Sequence, residues 1–506
     1  MRRDLPRLAE TSFDLLVIGA GIHGACAAWD AALRGLSVAL IDQSDFGGAT
    51  SASSLRIVHG GLRYLARGDL RRTLESIRER SVWLRIAPAL VEPLPVLVPT
   101  IGRGRRGPIA FGAALALNDL LSLPHNRDLP SRIPSSRVIS RAECLARFPG
   151  FASEERITGG ALWYDARLVH PERLTLSLVL AAAERNAAVA NYLRVERLNL
   201  DGDGATGASV QDQISGASFD IRARTTLVAA GHWTEDLVGR AGAKRTGSQG
   251  PSHALGVNVV LGKGLSDVAV GVQARSGRDR DPVCGGHRYL FLTPNGAMTT
   301  LGTWYAPADP ARSAGVAEQG ARELVRELME ACPALQLDES DIVRWQYGWL
   351  PLKSGTEPGR SDALAERPRI LDHGRRDGIH HLLSLEGVKF TTARVVAQRA
   401  IDRVFRDLGR QSPACRTEST PLQTGAVPEP LEVVTAVRDE MALKLSDLVF
   451  RRGVLGTPPG PERAMVQEAA HRMGAELGWD SHRQDVEVEE VMRQIEIPAG
   501  SLETVG

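Results

Sequence analysis

Short apolar runs, glycine turns and helical periodicity alternate along this chain, and the alternation is sharpest near its start. Leu15-Leu16-Val17-Ile18 reads as a buried strand. Gly19, Gly21 and Gly24 follow as G-x-G-x-x-G, a helix comes next, and the apolar residues Val38 to Ile41 read as a second strand ending in Asp42. This unit, residues 12–43, carries the β-α-β fingerprint of a dinucleotide site. Gly19 permits the tight turn, Gly21 the approach of a pyrophosphate, and Gly24 the packing of helix on strand. The helix N-terminus offers free N–H groups to the phosphates. Asp42 stands where a carboxylate accepts hydrogen bonds from the adenosine ribose.

Further along, apolar residues at helical spacing predict a helix over residues 69–85. A strand over 96–101 follows, then a surface loop rich in proline and arginine to about residue 134. Helices are expected at 171–185 and 317–331, and strands at 188–192, 195–200, 226–231 and 380–385. Across 255–305, strand-like alternation broken by glycine suggests an antiparallel sheet. His253 falls in a Gly/Pro/Ser stretch and reads as exposed. Residues 423–430 read as a linker and 431–506 as charged amphipathic helix. The dinucleotide domain is thereby split into residues 1–95, 150–254 and 370–408. A substrate or cap domain of residues 96–149 and 255–369 is inserted into it, and a helical domain, 409–506, is appended. Such a discontinuous α/β layout suits a flavoprotein better than a nicotinamide dehydrogenase, whose cofactor domain is usually contiguous.

Composition narrows the class. A chain of 506 residues holds two or three domains, and 43% hydrophobic with 24% charged residues is ordinary for a globular protein. The formal net charge of +1 argues against a nucleic-acid partner. Cys26, Cys144, Cys284, Cys332 and Cys415 are odd in number and lack C-x-x-C spacing. Neither a disulfide framework nor a metal site is expected, and a reducing cytosol fits. The N-terminus lacks the apolar core of a secretory signal, and no run reaches the roughly 18 apolar residues of a membrane span. The apolar patch 109–123 suits a buried helix or one lying on a membrane surface, so peripheral contact at the inner face of the membrane stays open.

Beyond the fingerprint, residues 49–65 read ATSASSLRIVHGGLRYL, a serine-rich loop leading into HGGLRYL. With ALWYDARLVHPERL at 161–174, AAGHW at 229–233, GVKFTTAR at 387–394 and the charged tail at 437–456, the chain closely resembles the FAD-dependent glycerol-3-phosphate dehydrogenase/oxidase family. The resemblance implies a glutathione-reductase-type FAD domain, an antiparallel-sheet cap over the flavin, and oxidation of a secondary alcohol by hydride transfer to flavin N5. The expected FAD contacts are Gly19, Gly21, Ile22, Gly24 and Asp42 of the fingerprint, with Thr50, Ser51 and His59 after it. Val195, Ala230 and Gly231 complete that set, together with Gly387, Val388, Lys389 and Thr391 near the last strand.

His59, Arg63, Lys389, Asn258 and Arg367 are the candidate catalytic and substrate residues. A group beside the flavin must take the hydroxyl proton, and cations hold an anionic substrate. His59 can equally be a structural histidine, and Arg63, Lys389 and Arg367 ordinary surface or ion-paired cations. The chain departs from the family at four places. Asn258 stands where a histidine is usual, and it orients a hydroxyl but accepts no proton at neutral pH. Leu350 stands where a phosphate-binding arginine is usual. Val388 replaces a glycine before the lysine, and residues 302–305 read GTWY where GTTD is usual. The reaction class implied is therefore oxidation of glycerol 3-phosphate or a related polyol, polyol phosphate or hydroxy compound, with quinone or oxygen as electron acceptor. The competing readings are an amine or amino-acid oxidase on the same scaffold, and a flavin-binding protein with little catalysis. A homodimer through the helical tail also stays open.

Overall fold

The structure is a computed structural model and describes residues 1–130, 132–244, 253–274, 288–307, 313–353, 364–423, 432–453 and 460–496. Five strands pair in parallel in the spatial order Leu382–Glu386, Ser218–Val228, Ser12–Ile18, Val38–Ile41 and Ala188–Ala190. Near-continuous apolar sequence suits these strands, because helices cover the sheet. The glycine-loop helix Ile22–Leu33 packs there with Pro171–Glu184 and Ala393–Asp407 around Trp29, Leu178, Val396 and Phe405. Arg369–Asp372 closes one edge antiparallel to Leu382–Glu386. The hairpin of Leu193–Asp201 and Gly204–Asp212 pairs with Ser218–Val228.

A second sheet runs Ile342–Pro351, His253–Leu261, Met298–Pro307, Tyr289–Asn295, Ala269–Gln273, Val91–Ile101, Ile157–Leu168 and Ile57–Val58, with Arg137–Ser140 alongside Ile157–Leu168. All its neighbours are antiparallel except Ala269–Gln273 with Val91–Ile101. Helix Ser313–Ala331 presses Ala317, Ala321, Leu324 and Leu328 against it. The C-terminal helices, chiefly Arg463–Leu477 and Ser481–Glu496, gather a separate core around Leu445, Leu448, Met473 and Val491.

Three expectations are corrected here. Residues 91–95 and 157–168, assigned to the dinucleotide domain, pair in the second sheet, because long antiparallel partnership outweighs nearness in sequence. Within the stretch to residue 134 read as surface loop, the apolar patch 109–123 is helical as expected, in helix Pro108–Asn126 opened by a proline in its first turn. Ile109, Leu120 and Leu123 are exposed, however, so its buried alternative is corrected. His253 is buried at the start of a cap strand, paired opposite Pro351, and burial pushes its imidazole down to about 4. All of the expected linker 423–430 except Gln423, and Cys284, lie outside the described residues. Cys26, Cys144 and Cys415 are free thiols.

Candidate active site

A cavity of about 540 Å³ lies between the two sheets. Its dinucleotide end is built by the first strand and its turn. Gly19 has φ +99°, and a Cβ there would meet Ala229 O at 2.6 Å. A side chain at Gly24 would overlap the carbonyl of Gly19, so Gly24 serves helix packing and does not line the cavity. Gly21 and Ile22 do line it, at the N-terminus of the twelve-residue helix. The Ile22 N–H donates to Ser51 Oγ at 3.0 Å, which ties the serine-rich loop to that terminus.

Asp42 ends its strand as expected. Oδ2 accepts the Ala20 N–H at 2.7 Å, and Oδ1 accepts from Ser44 N at 3.0 Å. Burial pushes this carboxyl up to about 6 against those hydrogen bonds. Val195, Ala230 and Gly231 line the same end, and Thr50 lines the cavity while bonding the Trp349 N–H at 2.9 Å. His23, inside the fingerprint, is a residue the motif reading passed over. Its Nε2 is buried without a partner, and burial alone pushes the ring down to about 4.

These features fit a dinucleotide. Backbone approaches the cavity where a Cβ would not fit, a helix N-terminus faces it, and a buried carboxylate keeps lone pairs for hydroxyl donors.

The other end gathers polar side chains from distant segments. The HGGLRYL segment contributes His59, Arg63 and Tyr64, and the segment after strand Leu382–Glu386 contributes Gly387, Val388, Lys389 and Thr391. The two segments are stitched together, since the His59 N–H donates to Thr391 Oγ1 at 3.1 Å. Lys389 Nζ sits 4.2 Å from the centre of the Tyr64 ring. Burial, reinforced by the charge of Arg63, pushes the lysine down to about 8.

Asn258 also lines the cavity, but its amide is engaged elsewhere. Nδ2 donates to Ser53 O at 2.9 Å, and Oδ1 accepts from Thr303 Oγ1 at 2.8 Å. It therefore ties the cap strand to the serine-rich loop. Arg367 is corrected: it is exposed and does not line the cavity, whereas its neighbour Glu366 does. Glu366 is drawn to Arg72 at 2.9 Å, with Arg67 and Lys353 each at 3.8 Å. Leu350 lines the cavity in the same apolar cluster as Tyr305 and Leu364.

Asp165 is the second residue the motif reading passed over, although it lies within ALWYDARL. The available signal was an acid in an otherwise buried strand, which demands partners.

Comparison with known proteins agrees with this construction. The family described as FAD dependent oxidoreductase matches residues 14–403, which sets the class. The chain is 31% identical over 451 residues to a glycerol-3-phosphate dehydrogenase of Synechocystis sp., covering 86% of this chain and 77% of that one. It is 28% identical to the mitochondrial glycerol-3-phosphate dehydrogenase of Bos taurus, covering 85% of this chain but only 58% of that longer protein. The glycerol-3-phosphate dehydrogenase of Bacillus halodurans, solved with FAD, shares the fold at a TM-score of 0.71 and 20% identity, over 99% and 98% of the two chains. This chain belongs to the FAD-dependent glycerol-3-phosphate dehydrogenase family, and its cofactor is FAD.

Proposed function

We propose that the chain oxidises a secondary alcohol carrying an anionic group, and that glycerol 3-phosphate is a weaker substrate for it than for relatives named after that compound. The observation that carries the reading is the meeting of His59, Arg63 and Lys389 on the cavity that holds the dinucleotide loop. FAD supplies a hydride acceptor when bound. The hydroxyl proton goes to His59 as the C–H pair leaves with the hydride, giving a carbonyl product. Arg63 and Lys389 hold the anion. Asn258, with its amide committed to Ser53 and Thr303, keeps the cap seated and leaves proton transfer to His59.

Leu350 carries the second half of the proposal. An apolar wall of Leu350, Leu364 and Tyr305 replaces a guanidinium fork at that end. A hydrogen bond to a charged group is worth about 1.5–3 kcal/mol, so phosphate recognition falls by roughly 10- to 200-fold. Anaerobic flavin bleaching by glycerol 3-phosphate, larger phosphorylated alcohols, hydroxy acids and polyols tests this in wild type and Leu350→Arg. The arginine should improve glycerol 3-phosphate by that factor. Wild-type saturation at low micromolar glycerol 3-phosphate, with no gain from the arginine, overturns it. Bleaching by amines alone, with peroxide release, would install the oxidase reading.

The electron acceptor we propose is a quinone or oxygen, reached from a membrane surface. Helix Pro108–Asn126 supports that location: Ile109, Leu120 and Leu123 are 84%, 62% and 55% exposed. No described helix is long and apolar enough to cross a membrane. Wild type should sediment with anionic vesicles, and Leu120→Asp with Leu123→Asp should not.

A further inference from the structure

We propose that Asp165 is the positioning residue for His59, holding the imidazole with its proton on Nδ1 so that Nε2 faces the reacting hydroxyl. The proposal rests on the reading of His59 as proton acceptor and adds the device that makes it one.

The geometry joins three motifs that lie far apart in sequence. Asp165, on strand Ile157–Leu168, is buried and places Oδ2 3.9 Å from His59 Nδ1. A small rotation of the imidazole closes that ion-pair separation to a hydrogen bond. Two hydrogen-bond donors and one nearby cation hold the carboxylate from its other sides. The Gly60 N–H donates to Oδ1 at 2.5 Å, Trp163 Nε1 donates to Oδ2 at 3.3 Å, and Arg80 Nη1 stands 4.0 Å from Oδ1. Arg80 is itself buried and fixed by donating to Tyr164 O at 2.6 Å.

The first glycine of HGGLRYL finds its reason here. A Cβ at Gly60 would overlap Arg80 Nη1 and come within 2.9 Å of Asp165 Oδ1. The His59 main chain is pinned from the opposite side by Thr391, whose carbonyl in turn accepts from Trp83 Nε1 at 3.0 Å. The histidine thus has a fixed backbone, a buried carboxylate at one ring nitrogen and the cavity at the other.

The charge on Asp165 is secure. Burial works to raise its carboxyl, but the pairing with His59, the charge of Arg80 and the Gly60 N–H outweigh it and hold it below the usual carboxylate range. An anion there favours the Nδ1–H tautomer and stabilises the imidazolium that forms when Nε2 takes the hydroxyl proton. In a serine–histidine–aspartate arrangement, replacing the acid by its amide costs about 10⁴ through the wrong tautomer. The longer separation here sets a smaller expectation of roughly 10- to 10³-fold.

Two measurements on the FAD-loaded full chain test the idea. Asp165→Asn should slow flavin bleaching by that factor with substrate KM little changed, and the same substitution in a His59→Ala background should cost nothing further. Equal losses in both backgrounds mean a merely structural aspartate, and an unchanged rate means no role; either overturns the proposal. The second measurement needs no Asp165 variant and no turnover. Nitrogen NMR of histidine-labelled wild type, with the His59 signal assigned by its absence from His59→Ala, should show Nδ1 protonated and Nε2 bare when the ring is neutral. The opposite tautomer overturns the proposal even if Asp165→Asn fails to fold. Failure of wild type to be bleached by any alcohol would instead sink the functional reading, and the tautomer would still report on Asp165.

Discussion

His59 is 49% exposed and faces the cavity while its main chain is held, the combination a proton acceptor needs. Removing a general base costs about 10²–10⁴ in rate. His59→Ala should therefore slow substrate-driven bleaching by that factor while an acid-precipitation assay still finds one FAD per chain. Lys389 makes a pH prediction. Its folded value of about 8 lies below that of a free lysine, so it is charged below that pH and loses its charge as pH rises through it. The KM for an anionic alcohol should be flat below about 8 and climb above it, whereas Lys389→Met should show a raised KM with no such climb. His59, Arg63 and Lys389 could be named in advance because their chemistry is local to short motifs. Asp165 could not, because a buried acid announces that it needs a partner without saying which one.

The β-α-β unit was legible as an element because strand, turn and helix are all set within thirty residues. The segment after strand Leu382–Glu386 was legible as a motif, but its main steric constraint was not. A Cβ at Gly387 would overlap the ring of His23, which sits 364 positions earlier and is half-buried against it. Gly387→Ala should lower FAD retention and the melting temperature, and pairing it with His23→Ala should restore part of both; flavin release on heating reads each. A different alignment shows why geometry alone does not make a site. His373 lies 2.9 Å from Ser384 Oγ through Nε2 and 2.6 Å from Asp377 through Nδ1, in the order of a hydrolytic triad. All three are buried and none lines the cavity, so the set locks a turn onto the sheet.

Across the molecule, a buried ionic cluster joins the C-terminal helices to the dinucleotide domain. Asp45 lies three residues past Asp42 and accepts from Arg452 at 2.8 Å and from Arg451 at 2.5 Å. Asp447 completes the cluster, accepting the Tyr192 hydroxyl at 2.5 Å. Burial works to raise Asp45, but the charges of Arg452 and Arg451 outweigh it and hold it well below the usual carboxylate range. A folded value below the unfolded one means that the pair's stability is present above the unfolded carboxylate value and is lost as pH falls toward the folded one. Removing one partner of such a cluster strands a buried charge, a cost of about 3–5 kcal/mol. Arg452→Met should shift the urea midpoint accordingly. It should also speed FAD dissociation, since the Asp45 loop carries Asp42 and Ser44.

From the chain's own order of residues came the dinucleotide unit, the family, the cofactor and the short motifs that meet at the cavity. Each depends on contacts between residues close in sequence or on side-chain chemistry that does not change with context. Folding in three dimensions settled the membership of residues 91–95 and 157–168 in the second sheet, the burial of His253, the exclusion of Arg367 and the pairing of His59 with Asp165. Those outcomes follow from contacts between distant segments, where strand pairing and desolvation outweigh local propensity.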